Sequence, residues 1–185
     1  MTTDAYDNPT EVVSVSRKQV SLSFDSPPAT AEVGAEVTFK VLADGSPEPG
    51  VSVGTSGSDF GTTGSDGSVT HTFDKKDEYT VRAQKSDDKK AQYAECSTSI
   101  EITPKQVNLA LSTDATDYEL GDEMTVAVTE DGSGQPVSGA TVTIDGDEYS
   151  TDSNGEVVTS LDDTGTIQII AKKQDTDTET YHSES

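Results

Sequence analysis

The amino-acid sequence predicts an all-β chain folded as two tandem antiparallel β-sandwiches, and three observations predict it. Apolar residues alternate with polar ones in short runs, turn-forming pairs separate those runs, and the whole pattern occurs twice. Successive side chains of an extended backbone point to opposite sides, so alternation with period two encodes a strand with one buried face.

In the first half Val20, Leu22 and Phe24 share a face, followed by Val37, Phe39 and Val41, and then by Val51 and Val53. Val69 and Phe73 form the next run, and Tyr79, Val81 and Ala83 the one after. Between runs lie Asp44-Gly45, Pro49-Gly50, Asp66-Gly67, Asp131-Gly132 and Asn154-Gly155, pairs that accept positive φ or preset a bend. No stretch carries a helical stripe of useful length, and the runs are too polar for a parallel sheet covered on both faces. Many short strands at regular spacing give an antiparallel sandwich.

A shift of 87 residues brings the two halves into register. Val20-Ser-Leu-Ser-Phe24 then lies over Val107-Asn-Leu-Ala-Leu111, and Glu32-Val-Gly-Ala-Glu-Val-Thr-Phe39 over Glu119-Leu-Gly-Asp-Glu-Met-Thr-Val126. After one extra residue in the second copy, Thr63-Gly-Ser-Asp-Gly-Ser-Val69 meets Thr151-Asp-Ser-Asn-Gly-Glu-Val157. Tyr79-Thr-Val-Arg-Ala-Gln-Lys85 likewise meets Ile167-Gln-Ile-Ile-Ala-Lys-Lys173. The expected organisation is an N-terminal arm or edge strand over 1–19, a first domain over 20–104 and a second over 105–185.

Hydrophobic residues make up only 30% of the 185, and there is no Trp, so each core is small. The net charge is -23, and it is uneven. Residues 20–104 carry 14 acidic against 7 basic side chains, and residues 105–185 carry 18 against 3. Like charge at this density repels itself, and salt relieves the repulsion by shortening the Debye length to about 3 Å at 1 M. The composition resembles that of an extreme halophile, a match weakened by ten Lys against two Arg. Such a surface repels nucleic acid and anionic membranes, which bind clustered Lys and Arg, and neither is expected as a partner.

No segment approaches the roughly 18 consecutive apolar residues of a membrane span. The stretch Met1-Thr2-Thr3-Asp4-Ala5-Tyr6 lacks the basic and apolar parts of a signal peptide, so with Met1 as the start no general secretion is expected. Cys96 is the single cysteine. Its place in the alternation Ala94, Cys96, Thr98, Ile100, Ile102 puts it on the inward face as a small hydrophobe rather than a reactive thiol.

The second half, with Tyr118-Glu-Leu-Gly-Asp-Glu-Met-Thr-Val-Ala-Val128, Pro136-Val-Ser-Gly-Ala-Thr-Val-Thr-Ile144, Thr151-Asp-Ser-Asn-Gly-Glu-Val157 and Gly165-Thr-Ile-Gln-Ile-Ile-Ala171, resembles the bacterial immunoglobulin-like repeats of the invasin and intimin type. The four pieces occur in that family's order and cover most of residues 107–173, while the first half keeps the pattern more loosely. The resemblance implies immunoglobulin-like sandwiches of the kind used as stalks, spacers and tips on cell surfaces and on the heads and tails of viruses. It implies no catalytic residues.

Catalytic constellations are not expected. His71 falls between Val69 and Phe73 at a core edge, and His182 is three residues from the end. Two separated histidines and one cysteine do not compose a zinc site or a nucleophile with its base. No cofactor is expected. Calcium is the only ligand for which the sequence offers donors, at Asp145, Asp147, Asp152 and Asn154, although no run has the EF-hand spacing. The alternative reading makes Asn154-Gly155 and Asp66-Gly67 hairpin turns and the other acids a solvated surface, and it is the preferred one.

Val12, Val13, Val15 and Arg17 are the candidate assembly residues. The piece Ser14-Val-Ser-Arg-Lys-Gln-Val20 resembles the junction Glu101-Ile-Thr-Pro-Lys-Gln-Val107, as though a final strand preceded the first domain with no domain before it. The second half, conversely, has no equivalent of Ser99-Ile-Glu-Ile-Thr103, so its final strand is expected to be short and one sheet edge uncovered. The expected role is a non-enzymatic virion component, a decoration or spike subunit of a virus of a halophilic host, assembling with copies of itself and other virion proteins. The alternative is a cell-surface adhesin or filament subunit.

Overall fold

The computed structural model describes residues 11–183, and every regular element among them is a β-strand. The first ten are β1 (Lys18–Phe24), β2 (Thr30–Glu32), β3 (Glu36–Ala43), β4 (Ser46–Pro47), β5 (Ser52–Gly54), β6 (Asp59–Thr62), β7 (Ser68–Thr72), β8 (Asp77–Gln84), β9 (Ala91–Ala94) and β10 (Cys96–Thr103). After Pro104 come β11 (Lys105–Thr113), β12 (Glu123–Glu130), β13 (Thr141–Ile144), β14 (Asp147–Ser150), β15 (Glu156–Ser160), β16 (Ile169–Lys172) and β17 (Glu179–His182).

The strands form four sheets. One has the order β4-β3-β1-β9 with β7 also on β3, a second β2-β10-β8-β5-β6, a third β15-β12-β11-β17 and a fourth β14-β13-β16. Every pairing thus joins strands on the same side of Pro104. Compactness draws a different line, grouping 28–37, 71–79 and 99–185 as one unit and 38–70 and 80–98, with the chain up to Pro27, as another.

The period-two alternation does what it predicts. On β3 Val37, Phe39 and Val41 are buried while Glu36 and Thr38 face out. Phe39 stacks on Phe60 of β6 at 5.8 Å, so the first two sheets meet face to face. After Pro104 the buried cluster takes Leu109 from β11 and Met124, Val126 and Val128 from β12. Val142 and Ile144 from β13 and Ala171 from β16 close it from the other sheet. Both pairs of sheets are therefore immunoglobulin-like sandwiches, an all-β fold.

Three of the pairings among the described residues are parallel rather than antiparallel. β1 pairs with β9, β2 with β10 and β11 with β17, all in parallel register. The reason lies in the chain path, because the first and last strands of a sandwich run the same way along its edge. This path also corrects the reading of Ala94, Cys96, Thr98, Ile100 and Ile102 as one unbroken alternation. The chain changes sheets at Glu95, from β9 beside β1 to β10 beside β2, and the inward phase changes with it. Ala91 and Tyr93 face inward on β9, Ala94 is exposed, and inward positions resume at Cys96, Thr98, Ile100 and Ile102.

The second half is built on the same hydrogen bonds as the first. Val41 takes the Gly67 carbonyl at 2.8 Å and Val128 the Gly155 carbonyl at 2.8 Å. The buried Thr63 hydroxyl donates to Glu48 O at 2.6 Å and accepts from Val51 N at 3.0 Å. Thr151 does the same with Val137 O at 2.6 Å and Ala140 N at 2.9 Å. Gly67 and Gly155 both have positive φ, and a Cβ on either would sit within 2.7 Å of the Val41 or Val128 carbonyl oxygen respectively. Only glycine fits there, because the turn passes directly over the neighbouring strand.

Candidate functional site

The arm comes first in the chain. Residues 11–17 form no strand, so of the expected arm or edge strand the described part is an arm, and regular pairing begins at Lys18. Residues 1–10 of the expected arm and the Met1–Tyr6 stretch lie outside the described residues, as do Glu184 and Ser185. Arg17 Nη1 reaches Asp87 Oδ2 and the Asp88 carbonyl, each at 3.4 Å. Lys18 N donates to Lys90 O at 2.8 Å, and its ammonium pairs with Asp44 at 2.8 Å. The hydrogen bond from Lys18, with one from Ser21 N, holds the Asp44 carboxyl below the usual carboxylate range. The arm is thus fastened at its base. Beyond that, Val12 is 91%, Val13 72% and Val15 91% exposed. Adjacent bare valines are costly in water and have strand propensity without a strand partner.

The second feature lies where the last described strands end. In the first sandwich β10 runs between β2 and β8, and it buries Ile100 and Ile102. Among the described residues the second sandwich has no counterpart of β2 or β10, so β16, the counterpart of β8, closes its sheet as an edge. β17, four residues long, pairs with β11 as the four-residue β9 pairs with β1. Val81 of β8 is fully buried, whereas Ile169 at the matching position of β16 is only half-buried.

A groove of about 600 Å³ opens beside this edge, lined by Tyr118, Leu120, Met124, Leu161, Ile167 and Ile169. Met124 and Leu161 form its buried floor, and Leu120 stands 63% exposed. Tyr118 is fixed by donating to Asp114 at 2.7 Å and accepting from Ala115 N at 3.0 Å. The same bond, with one from Thr125 N, draws the Asp114 carboxyl below its ordinary range. Sequence reasoning pointed to the uncovered edge among the described residues but not to these lining residues. Their signal was that Leu120, Ile167 and Ile169 occupy the register positions of Val33, Tyr79 and Val81.

The calcium candidates fall in two turns. Asp145 and Gly146, at φ 49° and 98°, make the two-residue connection between β13 and β14, and Asp147 begins β14 opposite Ile144. Asp152 Oδ1 accepts the backbone N–H groups of Asn154 at 2.8 Å and Glu156 at 2.9 Å. Those donors lower its carboxyl from the usual range. Asp66 does likewise with Ser68 N in the first half. Among the described residues no three His, Cys, Asp or Glu side chains gather in a group that could hold a metal.

His71 is half-buried, edge-on to Phe73 at 4.8 Å, and desolvation lowers its basicity. Cys96 is half-buried on the inward face, and burial pushes its thiol up, away from the nucleophilic thiolate.

No protein-family model and no curated protein sequence matches the chain. Among solved structures it is similar to the fibronectin(III)-like modules of CbhA from Clostridium thermocellum, at 14% identity over 88% of this chain and 90% of that one, TM-score 0.34. It is also similar to the D00-D0 domain of intimin, at 14% identity over 89% and 97%, TM-score 0.31. A third similarity is to the Yersinia pseudotuberculosis adhesin InvE, at 15% identity and TM-score 0.31. It covers 82% of this chain, which spans about half of the InvE chain (53%).

Proposed function

We propose that the chain is a non-enzymatic structural protein of a virus particle, a decoration or spike subunit on the head or tail of a virus of a halophilic host. It works as two tandem domains, 20–104 and 105–185, with copies of itself and other virion proteins as partners and no cofactor in the reaction sense. The observation that carries this reading is the distribution of apolar surface. Of the five large apolar side chains exposed among the described residues, three stand together in the arm and a fourth, Leu120, lies in the groove. The rest of the surface belongs to a chain of net charge -23. Apolar groups left bare at two places on an acidic protein are contact surfaces for other proteins.

The second reading is a cell-surface adhesin or filament subunit, and the same exposed arm favours it. An antibody against the purified protein separates the two when lysates of the source culture are banded by density. Co-banding with particles, and immunogold label on heads or tails, is the expected result. Label confined to cell envelopes favours the adhesin reading, and protein found only in the soluble fraction contradicts both.

A further inference from the structure

We infer that residues 11–16 of one copy insert as a β-strand into the groove of a second copy, completing its second sandwich and joining copies head to tail. The inference rests on the assembly reading above and names its partner and geometry.

The first sandwich shows what the groove lacks. There β10 pairs in parallel with β2, Glu101 opposite Thr30, Ile102 opposite Ala31 and Thr103 opposite Glu32. Its inward Ile100 and Ile102 are 1% and 2% exposed. The equivalent strand of the second sandwich is missing from the described residues, and its place is taken by the open groove beside the β16 edge. An edge strand with free N–H and C=O groups beside an apolar slot is a template for an added strand.

The arm matches the missing strand at its two fully buried positions, Ile100 and Ile102. Set in the 87-residue register, Lys18-Gln-Val20 lies over Lys105-Gln-Val107, which places Val13 over Ile100 and Val15 over Ile102. Val12 lies over Ser99, an outward position. Side-chain alternation then sends Val13 and Val15 into the groove and leaves Val12 facing away. Chain direction matches too, since β10 passes through Pro104 into β11 as the arm passes through Arg17 into β1.

Charge agrees with the register. Thr103 opposite Glu32 becomes Ser16 of the donor opposite Glu119 of the acceptor, bringing the donor's Arg17 to the acidic rim formed by Asp117 and Glu119. Arg17 leaves an exposed pair with Asp87 and a bond to the Asp88 carbonyl, each 3.4 Å long, which are worth little in water. Donor and acceptor surfaces are different parts of one chain, so the contact is heterologous and extends into a row rather than closing as a dimer.

Sedimentation velocity of the full chain in molar salt tests this. The weight-average mass should rise with protein concentration to at least twice that of the monomer. The double variant Val13→Asp, Val15→Asp should stay monomeric with an unchanged melting temperature, since both side chains are exposed in the free chain. Val12→Asp should assemble like the parent. In a Cys96→Ser background, oxidation of the variant Ser16→Cys, Glu119→Cys should give a ladder of disulfide-linked multimers. A variant carrying a second copy of the β10 sequence after Ser185 should be monomeric and melt higher.

A parent chain that is monomeric at every concentration overturns the inference, as does undiminished assembly of the Val13, Val15 variant. If the parent is monomeric and the extended variant still melts higher, the groove takes a strand from elsewhere, and the second-copy inference is overturned. Either failure leaves attachment to particles to be decided by the density-banding experiment, so the two readings fail separately.

Discussion

The Thr151 hydroxyl donates to the Val137 carbonyl oxygen at 2.6 Å while accepting the Ala140 N–H at 2.9 Å, both beneath the hairpin that leads to β15. Its counterpart Thr63 makes the same two bonds. Thr151→Val keeps the shape and removes both, stranding a buried donor and acceptor, which costs about 1–3 kcal/mol. Thr151→Ser should lose far less. Chemical denaturation of the two variants checks this, and equal stability would mean the hydroxyl is not needed.

Gly155 and Gly45 separate two kinds of glycine. Both have positive φ, but a Cβ on Gly155 would meet Val128 O at 2.6 Å, whereas on Gly45 it would meet nothing within 4 Å. Gly45→Ala should cost only the left-handed conformation, about 1–2 kcal/mol. Gly155→Ala adds a backbone clash and should cost clearly more, with Gly67→Ala behaving alike. The comparison is read from denaturation midpoints at matched m-values.

Asp152 gives a pH dependence of known sign. Its folded carboxyl is lowered because it accepts the Glu156 and Asn154 N–H groups, so its contribution is present above the unfolded value of about 4 and lost as pH falls through the folded one. The melting-temperature gap between the parent and Asp152→Ala should therefore be full at neutral pH and shrink in acid. Asp152→Asn, whose amide oxygen still accepts, should show a smaller gap that varies less with pH. A gap that widens in acid would contradict the assignment.

Salt acts on the whole surface. With 35 acidic and 12 basic residues, most carboxylates have no cation to pair with, and screening relieves their repulsion. Raising sodium chloride from about 0.1 to about 2 M should raise the melting temperature, and potassium chloride should do the same. Residues 105–185, with 18 acids against 3 bases, should gain the most protection by hydrogen exchange. A melting temperature indifferent to salt would remove self-repulsion as the limit on stability.

Strands were legible in the sequence wherever one face is buried, because alternation alone encodes that arrangement. Val37, Phe39 and Val41 are an example, and so are the equivalent residues of β12. The change of sheet at Glu95 was not legible. Ala94 and Cys96 are both small, so the even-numbered alternation reads straight through a point where the inward phase has moved from Tyr93 to Cys96. Asp145 stands among the candidate calcium donors rather than the turn pairs in the sequence, and its dihedral angles place it with Gly146 in the hairpin connection. The uncovered edge among the described residues could be inferred by comparing the halves, but the groove could not. Its walls come from segments far apart in the chain, Tyr118 and Leu120 on one side and Ile167 and Ile169 on the other.

Hydrogen exchange along β16 tests the open edge most directly. In the first sandwich β8 has neighbours on both sides, β10 and β5, whereas β16 has β13 alone among the described residues. In dilute monomer the β16 amides pointing away from β13 should exchange quickly while those of β8 are protected. At high protein concentration in molar salt the same β16 amides should become protected as a donor strand covers them. Protection already complete in the dilute monomer, or unchanged on concentration, would contradict an edge that waits for another copy.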